Sequence, residues 1–231
     1  MDQKEFGSSA PDSPESAARY LRAGCEAVRK RCPTLGLLAT ELLALAEWVE
    51  AGNRLLSSSC LDGLRRVSSG AEHVVFFDEA GHQAVKLTHP GEFGHSPYGP
   101  GIKAVPTEYF ERLHYQNNIF GDDIRIHGVL NDGEGHIQVV TSQPWISANA
   151  DRPNPTTEEI EAFLKEHSFE CALLNPDAPL FYSRALGLIV ADAHDQNVLR
   201  DIEGNLVPID VVIGIPGPSL LQEIVQWIGP A

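Results

Sequence analysis

The chain has few cations. Its 231 residues carry 17 Lys and Arg against 32 Asp and Glu, a formal net charge of −15. Such a chain repels polyphosphate and anionic lipid unless its cations gather in one patch. General nucleic-acid binding and membrane-surface binding are therefore not expected. Cysteine is scarce too. Cys25, Cys32, Cys60 and Cys171 form no C-x-x-C pair, which excludes a zinc ribbon and a thioredoxin-type site. So few cysteines in this length predict a reduced, intracellular protein, with a cytoplasmic location expected. There is also no clean apolar run. The most apolar stretch, LGLLATELLALAEWVEA, contains Glu41, Glu47 and Glu50, so it is no membrane span. The opening MDQKEFGSSAPDSPES is polar and lacks the apolar core of a signal peptide.

What is present suits an ordinary globular protein. Hydrophobic residues make up 42% and charged residues 21%, enough for a sizeable core and against wholesale disorder. The length allows one large domain, or one domain with a helical extension.

Three parts are expected along the chain. Residues 1–12 read as a disordered tail, 13–64 as an N-terminal helical extension, and 65–231 as the main domain. In Ser13-Pro14-Glu15, Ser can cap, Pro suits the first helical position and Glu favours the positive end of the dipole. The helix they start is expected to end near Pro33. A second runs from about Thr34 to Ala51, with Leu38, Leu42, Leu45 and Val49 as its apolar stripe. The two form a hairpin packed on the main domain, with a protein partner as the alternative use of its surface.

From Ser68 the texture changes. EHVVFF and HQAVKLT read as strands around the turn DEAG. HPGEFGHSPYGPG must be a loop, with His89 and His95 exposed, and PTEYFERLHYQNNIF is a helix. DIRIHGVLN and HIQVVTSQPWI form a hairpin with His136 exposed at its turn. TTEEIEAFLK is a helix with a Thr cap. ALGLIVADAHDQNVLRDIEGNLVPIDVVIG predicts a strand, a loop and a hairpin turning at Glu203-Gly204-Asn205. One short helix follows, in GPSLLQEIVQWIGPA.

This order carries a chemistry. Lys86 ends a strand, a helix with Glu108 and Glu111 follows, then D-x-x-x-x-N as Asp192 and Asn197, then Asp210 thirteen residues on. Phosphoryl transfer needs such groups. A Lys holds phosphates, a Glu orients it, one Asp accepts the proton of the incoming hydroxyl, and an Asn and a second Asp hold magnesium. Asp192 follows LGLIVA and Asp210 follows LVPI. A carboxylate at the end of a buried run is costly unless paired, capping or functional. Glu108 and Glu111 share a helix face. Either can orient Lys86, and Glu108 is favoured. His194-Asp195 is the HD pair of metal phosphohydrolases, but it lies in a loop, not on the helices that chemistry uses.

On these residues the chain resembles the protein-kinase-like superfamily. DAHDQN is similar to its catalytic loop, and NVLRDIEGNLVPID to the strand pair ending in its metal-binding Asp. The form DxHxxN is closer to aminoglycoside-phosphotransferase-like and other atypical kinases. More narrowly, EYFERLHYQNNIFGDDIRIHGV, IQVVTSQPWI and DAHDQNVLRDIEGNLVPID resemble the Ser/Thr/Tyr kinase-like domain of polyvalent proteins from phages and conjugative elements. The resemblance spans roughly residues 65–215.

It implies an α+β fold with two lobes, an N-lobe at about 65–143 and a reduced helical C-lobe at about 144–231. It implies ATP and Mg²⁺ as cofactors. Catalysis would rest on Asp192, Lys86, Glu108 and His194, with His194 bracing the loop or touching the γ-phosphate. Asn197 and Asp210 would hold the metal. Nucleotide would meet Lys86, Gly70 in SSGAEHVV, and the backbone of Thr141, Ser142 and Gln143 in an interlobe linker. The acceptor would be a hydroxyl, with protein Ser, Thr or Tyr among the candidates. The alternatives are a pseudokinase used as a binding module, or a small-molecule kinase of aminoglycoside-phosphotransferase type.

Several positions depart from the superfamily. Of the usual GxGxxG only Gly70 stands. Val190-Ala191 replace the His-Arg before the catalytic Asp, and Val211-Val212 replace the Phe-Gly after the metal Asp. Only 21 residues follow Asp210, where protein kinases carry a long activation segment.

Overall fold

The computed structural model describes residues 10–99, 101–172 and 179–228. The fold is α+β, built from five α-helices and antiparallel sheets among the described residues. No described helix is long and apolar enough to cross a membrane. The chain divides into two compact units. The first comprises residues up to 94 with 103–117 and 122–145, and the second 95–102, 118–121 and 146 onward.

The first unit opens with helix α1 (Pro14–Arg31). The Ser13 side chain accepts a hydrogen bond from Ser16 N at 3.2 Å, so the expected cap forms. Arg29, Lys30 and Arg31 sit at the negative end of the helix dipole. Ala18, Leu21, Cys25 and Val28 recur every three or four residues and are buried, with Ala17 beside them. Burial pushes the Cys25 thiol up to about 11, helped by the nearby Glu41 carboxylate. Residues 1–9 of the expected tail lie outside the described residues. Asp12, at its end, is ordered. It makes an antiparallel bridge with Ile126, and its carboxylate accepts from Arg54 Nε at 2.6 Å.

Helix α2 (Leu37–Ala51) buries Thr40, Glu41, Ala44, Leu45 and Trp48. The expected stripe is thus turned: Leu38 is exposed, and Leu42 and Val49 are only partly buried. The reason is Glu41. This residue, set in an apolar run, accepts from Thr107 N at 3.1 Å and from Thr107 Oγ1 at 2.5 Å. Thr107 opens helix α3 (Pro106–Phe120). A carboxylate there satisfies an orphan N–H and meets the positive end of α3. Trp48 and Phe110 pack edge to face in one core with α1 and α3. Each large side chain buried in this way contributes roughly 2–3 kcal/mol.

The sheet of this unit comprises β1 (Arg65–Ser69), β2 (His73–Asp78), β3 (Gln83–Thr88), β4 (Arg125–Asn131) and β5 (Ile137–Pro144). Their order is β1-β2-β3-β5-β4, and every pairing is antiparallel. Strand β1 is exposed along its length, so it lacks the alternation by which sequence marks a strand. Strand β4 bulges between Ile126 and Gly128. Gly128 has φ +147, and a Cβ there would lie 2.2 Å from the carbonyl oxygen of Arg54. Glycine is required because the segment after α2 crosses β4 in contact. Val129 N donates to Arg54 O at 2.9 Å, and Leu56 N to Val129 O at 2.8 Å.

The sequence predicts a reduced helical lobe from about residue 144, with one strand, a loop and a hairpin in it; the second unit has more sheet than that. It is organised on a four-stranded antiparallel sheet, ordered β11-β8-β7-β6. The strands are β6 (Glu170–Ala172), β7 (Leu180–Ser183), β8 (Leu188–Ala191) and β11 (Val212–Gly214). A separate hairpin pairs β9 (Val198–Arg200) with β10 (Leu206–Pro208). Helix α4 (Thr157–Glu166) begins with a complete capping box between Thr156 and Glu159. Helix α5 (Pro218–Ile228) places Leu220 and Ile224 in a core with Ala172, Leu180 and Ile189. β6 and β11 have three residues each and β7 four, too short to print a periodicity.

Candidate active site

Strand β8 runs buried as Leu188-Ile189-Val190 and stops at Ala191. Its neighbours β7 and β11 hold it from both sides. The next residue, Asp192, turns into the left-handed region at φ +58. Few L-residues adopt that conformation, and Asp is among those that tolerate it. The turn takes Asp192 out of the sheet and leaves its carboxylate half-exposed.

Asn197 fixes that carboxylate. Its Nδ2 donates to the Asp192 carbonyl at 2.9 Å and to Asp192 Oδ2 at 2.8 Å. His194 is the third member. Its Nδ1 lies 3.2 Å from Gln196 N and its Nε2 3.2 Å from Asn197 Nδ2. Nε2 lies 3.4 Å from Asp192 Oδ1. The loop closes through His194 N on Asp192 O at 3.2 Å, and through Asn197 N and Val198 N on His194 O, each at 2.9 Å.

The spacing to Asp210 has a mechanical cause. β9 and β10 pair Val198 with Pro208 around a turn in which Asp201 accepts from Asn205. One step beyond that register, Asn197 O accepts from Ile209 N at 2.7 Å and from Asp210 N at 3.4 Å. Asp192, His194, Asn197 and Asp210 are thus brought to one place by one loop and one hairpin.

In the first unit, Lys86 is buried in β3, opposite Val75 on β2 and Thr141 on β5. Glu108 Oε2 accepts from Val105 N at 3.3 Å at the start of α3. Glu111 is held by Arg22 of α1. An acid not singled out from sequence, Asp122, interacts with Lys86. Desolvation raises the Asp122 pKa, and the Asp123 N–H, the Gln116 amide at 2.9 Å and the Lys86 charge partly oppose it. Another buried pair missed from sequence joins Arg112 Nη1 to Glu72 Oε2 at 2.6 Å. Arg112 lies on the face of α3 that buries Tyr109, Leu113 and Gln116. Partners thirty-six and forty residues apart leave no local pattern, which is why these acids were not legible.

Gly70 closes the β1–β2 turn. Its N–H donates to His73 O at 2.8 Å, and its carbonyl lies 2.9 Å from His89 Nε2. His89, expected to be exposed, is half-buried by this contact. Thr141, Ser142 and Gln143 correct the linker expectation. They are buried inside β5, where Thr141 and Ser142 are paired on both sides, to β3 and β4. Gln143 pairs on one side, with Ala84 of β3. Ser142 Oγ also contacts His127 Nε2 at 2.7 Å, and burial lowers the His127 pKa to about 4. His136 is exposed as expected, 2.7 Å from Asp132. His95 is half-buried instead.

An Asp steadied by an Asn, with a second Asp tied to that Asn by a hairpin, is the arrangement expected of a kinase-like protein. The family model described as the serine/threonine/tyrosine kinase found in polyvalent proteins matches residues 39–216. The chain belongs to that family. No curated protein and no solved structure gives a significant match.

Proposed function

We propose that the chain is an ATP- and Mg²⁺-dependent phosphotransferase that moves the γ-phosphate of ATP to a hydroxyl acceptor. The observation that carries this reading is the grip of Asn197 on Asp192, with Asp210 anchored on the carbonyl of Asn197. The donor set suits a hard divalent cation. Asn197 spends Nδ2 on Asp192 and keeps Oδ1, and Asp210 offers a carboxylate. Mg²⁺, when bound, neutralises charge on the phosphates. Lys86 holds the α- and β-phosphates, and Glu108, with Asp122 as the second acid, orients the ammonium. Asp192 takes the proton of the incoming hydroxyl at its carboxylate. His194 and Asn197 hold that carboxylate in place while leaving lone pairs on both oxygens.

Thermal unfolding with and without MgATP tests this. Ligand at about 100 times its Kd adds roughly 2.7 kcal/mol, about 5–10 °C for a chain of this size. The rise is expected in the wild type and absent in Asp210→Ala. Radiolabel transfer from ATP then reads turnover. A second reading has one observation of its own: the Gly70 N–H is engaged inside the β-turn, which thins any phosphate cradle. A pseudokinase serving as a binding module would show no MgATP-dependent rise.

A further inference from the structure

A cavity of about 290 Å³ opens beside Asp192, wholly within the second unit. Leu180, Ile189, Ala191, Val212 and Leu220, from β7, β8, β11 and α5, line it with apolar surface. Asp192 and His194 stand in its wall, so the cavity reaches the residue assigned to the acceptor proton. Its volume lies at the lower edge of the range for small-ligand sites, which are mostly apolar with a few placed polar groups.

The remaining wall comes from far away in sequence. Residues 95–102, between β3 and α3, belong to the second unit, and His95, Ser96, Pro97, Gly99 and Gly101 line the cavity. Two glycines admit this segment. A Cβ on Gly214 would lie 2.6 Å from Pro97 Cγ, and one on Gly217 would lie 2.8 Å from Tyr98 Cδ1. Ser96 is buried and its Oγ accepts from Tyr98 N at 3.1 Å, which fixes the segment's turn.

The charge of the lining selects the ligand. Among the described residues that line the cavity, Asp192 is the one Asp or Glu, and none is Lys or Arg. A phosphate or carboxylate on the acceptor would find no Lys or Arg, only the imidazoles of His95 and His194. An ammonium would lose its hydration against apolar walls, and the one acid there to pair with it, Asp192, is assigned to the hydroxyl proton. A neutral ring bearing a hydroxyl meets neither penalty.

We propose that this cavity is the acceptor subsite, and that it takes a neutral phenol or alcohol carried on a single apolar ring. The proposal rests on the phosphotransferase reading above. The acceptor oxygen forms a bond to the γ-phosphorus as the bond to the β–γ bridging oxygen breaks. The hydroxyl proton passes to Asp192, and ADP leaves with the bridging oxygen. A free phenol and a tyrosine side chain share this chemistry.

The test uses 4-ethylphenol, N-acetyltyrosinamide and the polycationic kanamycin as probes of the whole chain. Binding is read by saturation-transfer NMR, and transfer by label from γ-labelled ATP. Gly99→Trp fills the cavity from a position where the nearest atom to a new Cβ is Ile102 Cδ1 at 3.6 Å. Leu220→Ala enlarges it. Saturable binding of 4-ethylphenol is expected, weakened at least tenfold by Gly99→Trp, with label transferred to it. In Leu220→Ala the preference should move toward the bulkier 4-butylphenol. Labelling of N-acetyltyrosinamide above 4-ethylphenol would identify the peptide source, and the reverse a free small molecule. Label on kanamycin with none on the neutral probes overturns the cavity's assignment and leaves the phosphotransferase reading intact. Binding of 4-ethylphenol that Gly99→Trp removes, without transfer to any probe while MgATP binds, supports the ligand class and overturns phosphotransfer. Equal binding by wild type, Gly99→Trp and Leu220→Ala overturns the location.

Discussion

The side-chain amide of Asn197 holds both the main-chain carbonyl and the carboxylate of Asp192, at 2.9 and 2.8 Å. Asp192 sits in the left-handed region, so its direction depends on what ties it there. Asn197→Ala removes that tie. Phosphoryl transfer should fall on the order of 100-fold, the scale of a positioned base. Asn197→Asp should not restore it, because an acceptor replaces the donor beside a carboxylate. Single-turnover rates measure this, and an Asn197→Ala variant within threefold of wild type would refute the role.

Glu41 is an acid buried in an apolar helix because it caps another helix. Its carboxylate accepts from both the N–H and the hydroxyl of Thr107. Glu41→Ala leaves the start of α3 uncapped and should cost about 2 kcal/mol, or roughly 4–8 °C in Tm. Glu41→Gln keeps an acceptor oxygen and should lose less. Glu50→Ala, at an exposed position of the same helix, is the control. Equal melting of Glu41→Ala and Glu50→Ala would contradict the cap.

Gly128 and Gly133 separate contact from conformation. Both have positive φ, at +147 and +87. A Cβ on Gly128 meets the Arg54 carbonyl oxygen at 2.2 Å, while one on Gly133 meets nothing within 4 Å. Gly133→Ala should cost about 1 kcal/mol for the backbone alone. Gly128→Ala should cost about 3 kcal/mol or more, since main chain rather than a flexible tip must move. Urea unfolding of the pair reads the difference, and equal midpoints would remove the crossing at β4 as its cause.

His127 gives the stability curve an acid limb. Burial lowers its pKa to about 4 in the folded chain, against about 6.5 when unfolded. Between those values the unfolded chain binds the extra proton, so stability falls as pH drops from about 6.5 to about 4. The full effect is on the order of 3 kcal/mol. His127→Asn should flatten that limb while leaving its shape above pH 7 unchanged. The raised pKa of Asp122 acts in the opposite direction and is common to both proteins, so the difference between the curves isolates His127. Parallel curves for the two would exclude it.

Much of the site was legible because its spacing is local. β8, the Asp192–Asn197 loop and the β9–β10 hairpin follow one another within about twenty residues. Their turn residues and apolar runs mark them directly. Lys86 in β3 and the Thr156 cap of α4 were legible for the same reason. The linker around Thr141–Gln143 was misread, because an apolar strand that continues into Gln143-Pro144 looks the same whether or not its backbone is paired. Strands β6, β7 and β11 are not legible, because strands of three and four residues carry no period.

Sequence by itself determined the order of the five helices, the −15 charge, and the Asp192–Asn197–Asp210 spacing, since each is a property of neighbours along the chain. Tertiary structure decided what each polar group meets: Glu41 on Thr107, Glu72 on Arg112, Asp122 with Lys86, and Pro97 against Gly214. These partners lie from 36 to 117 residues apart. Contacts at that range are selected by burial and desolvation, which act on the folded surface and leave no period in the chain.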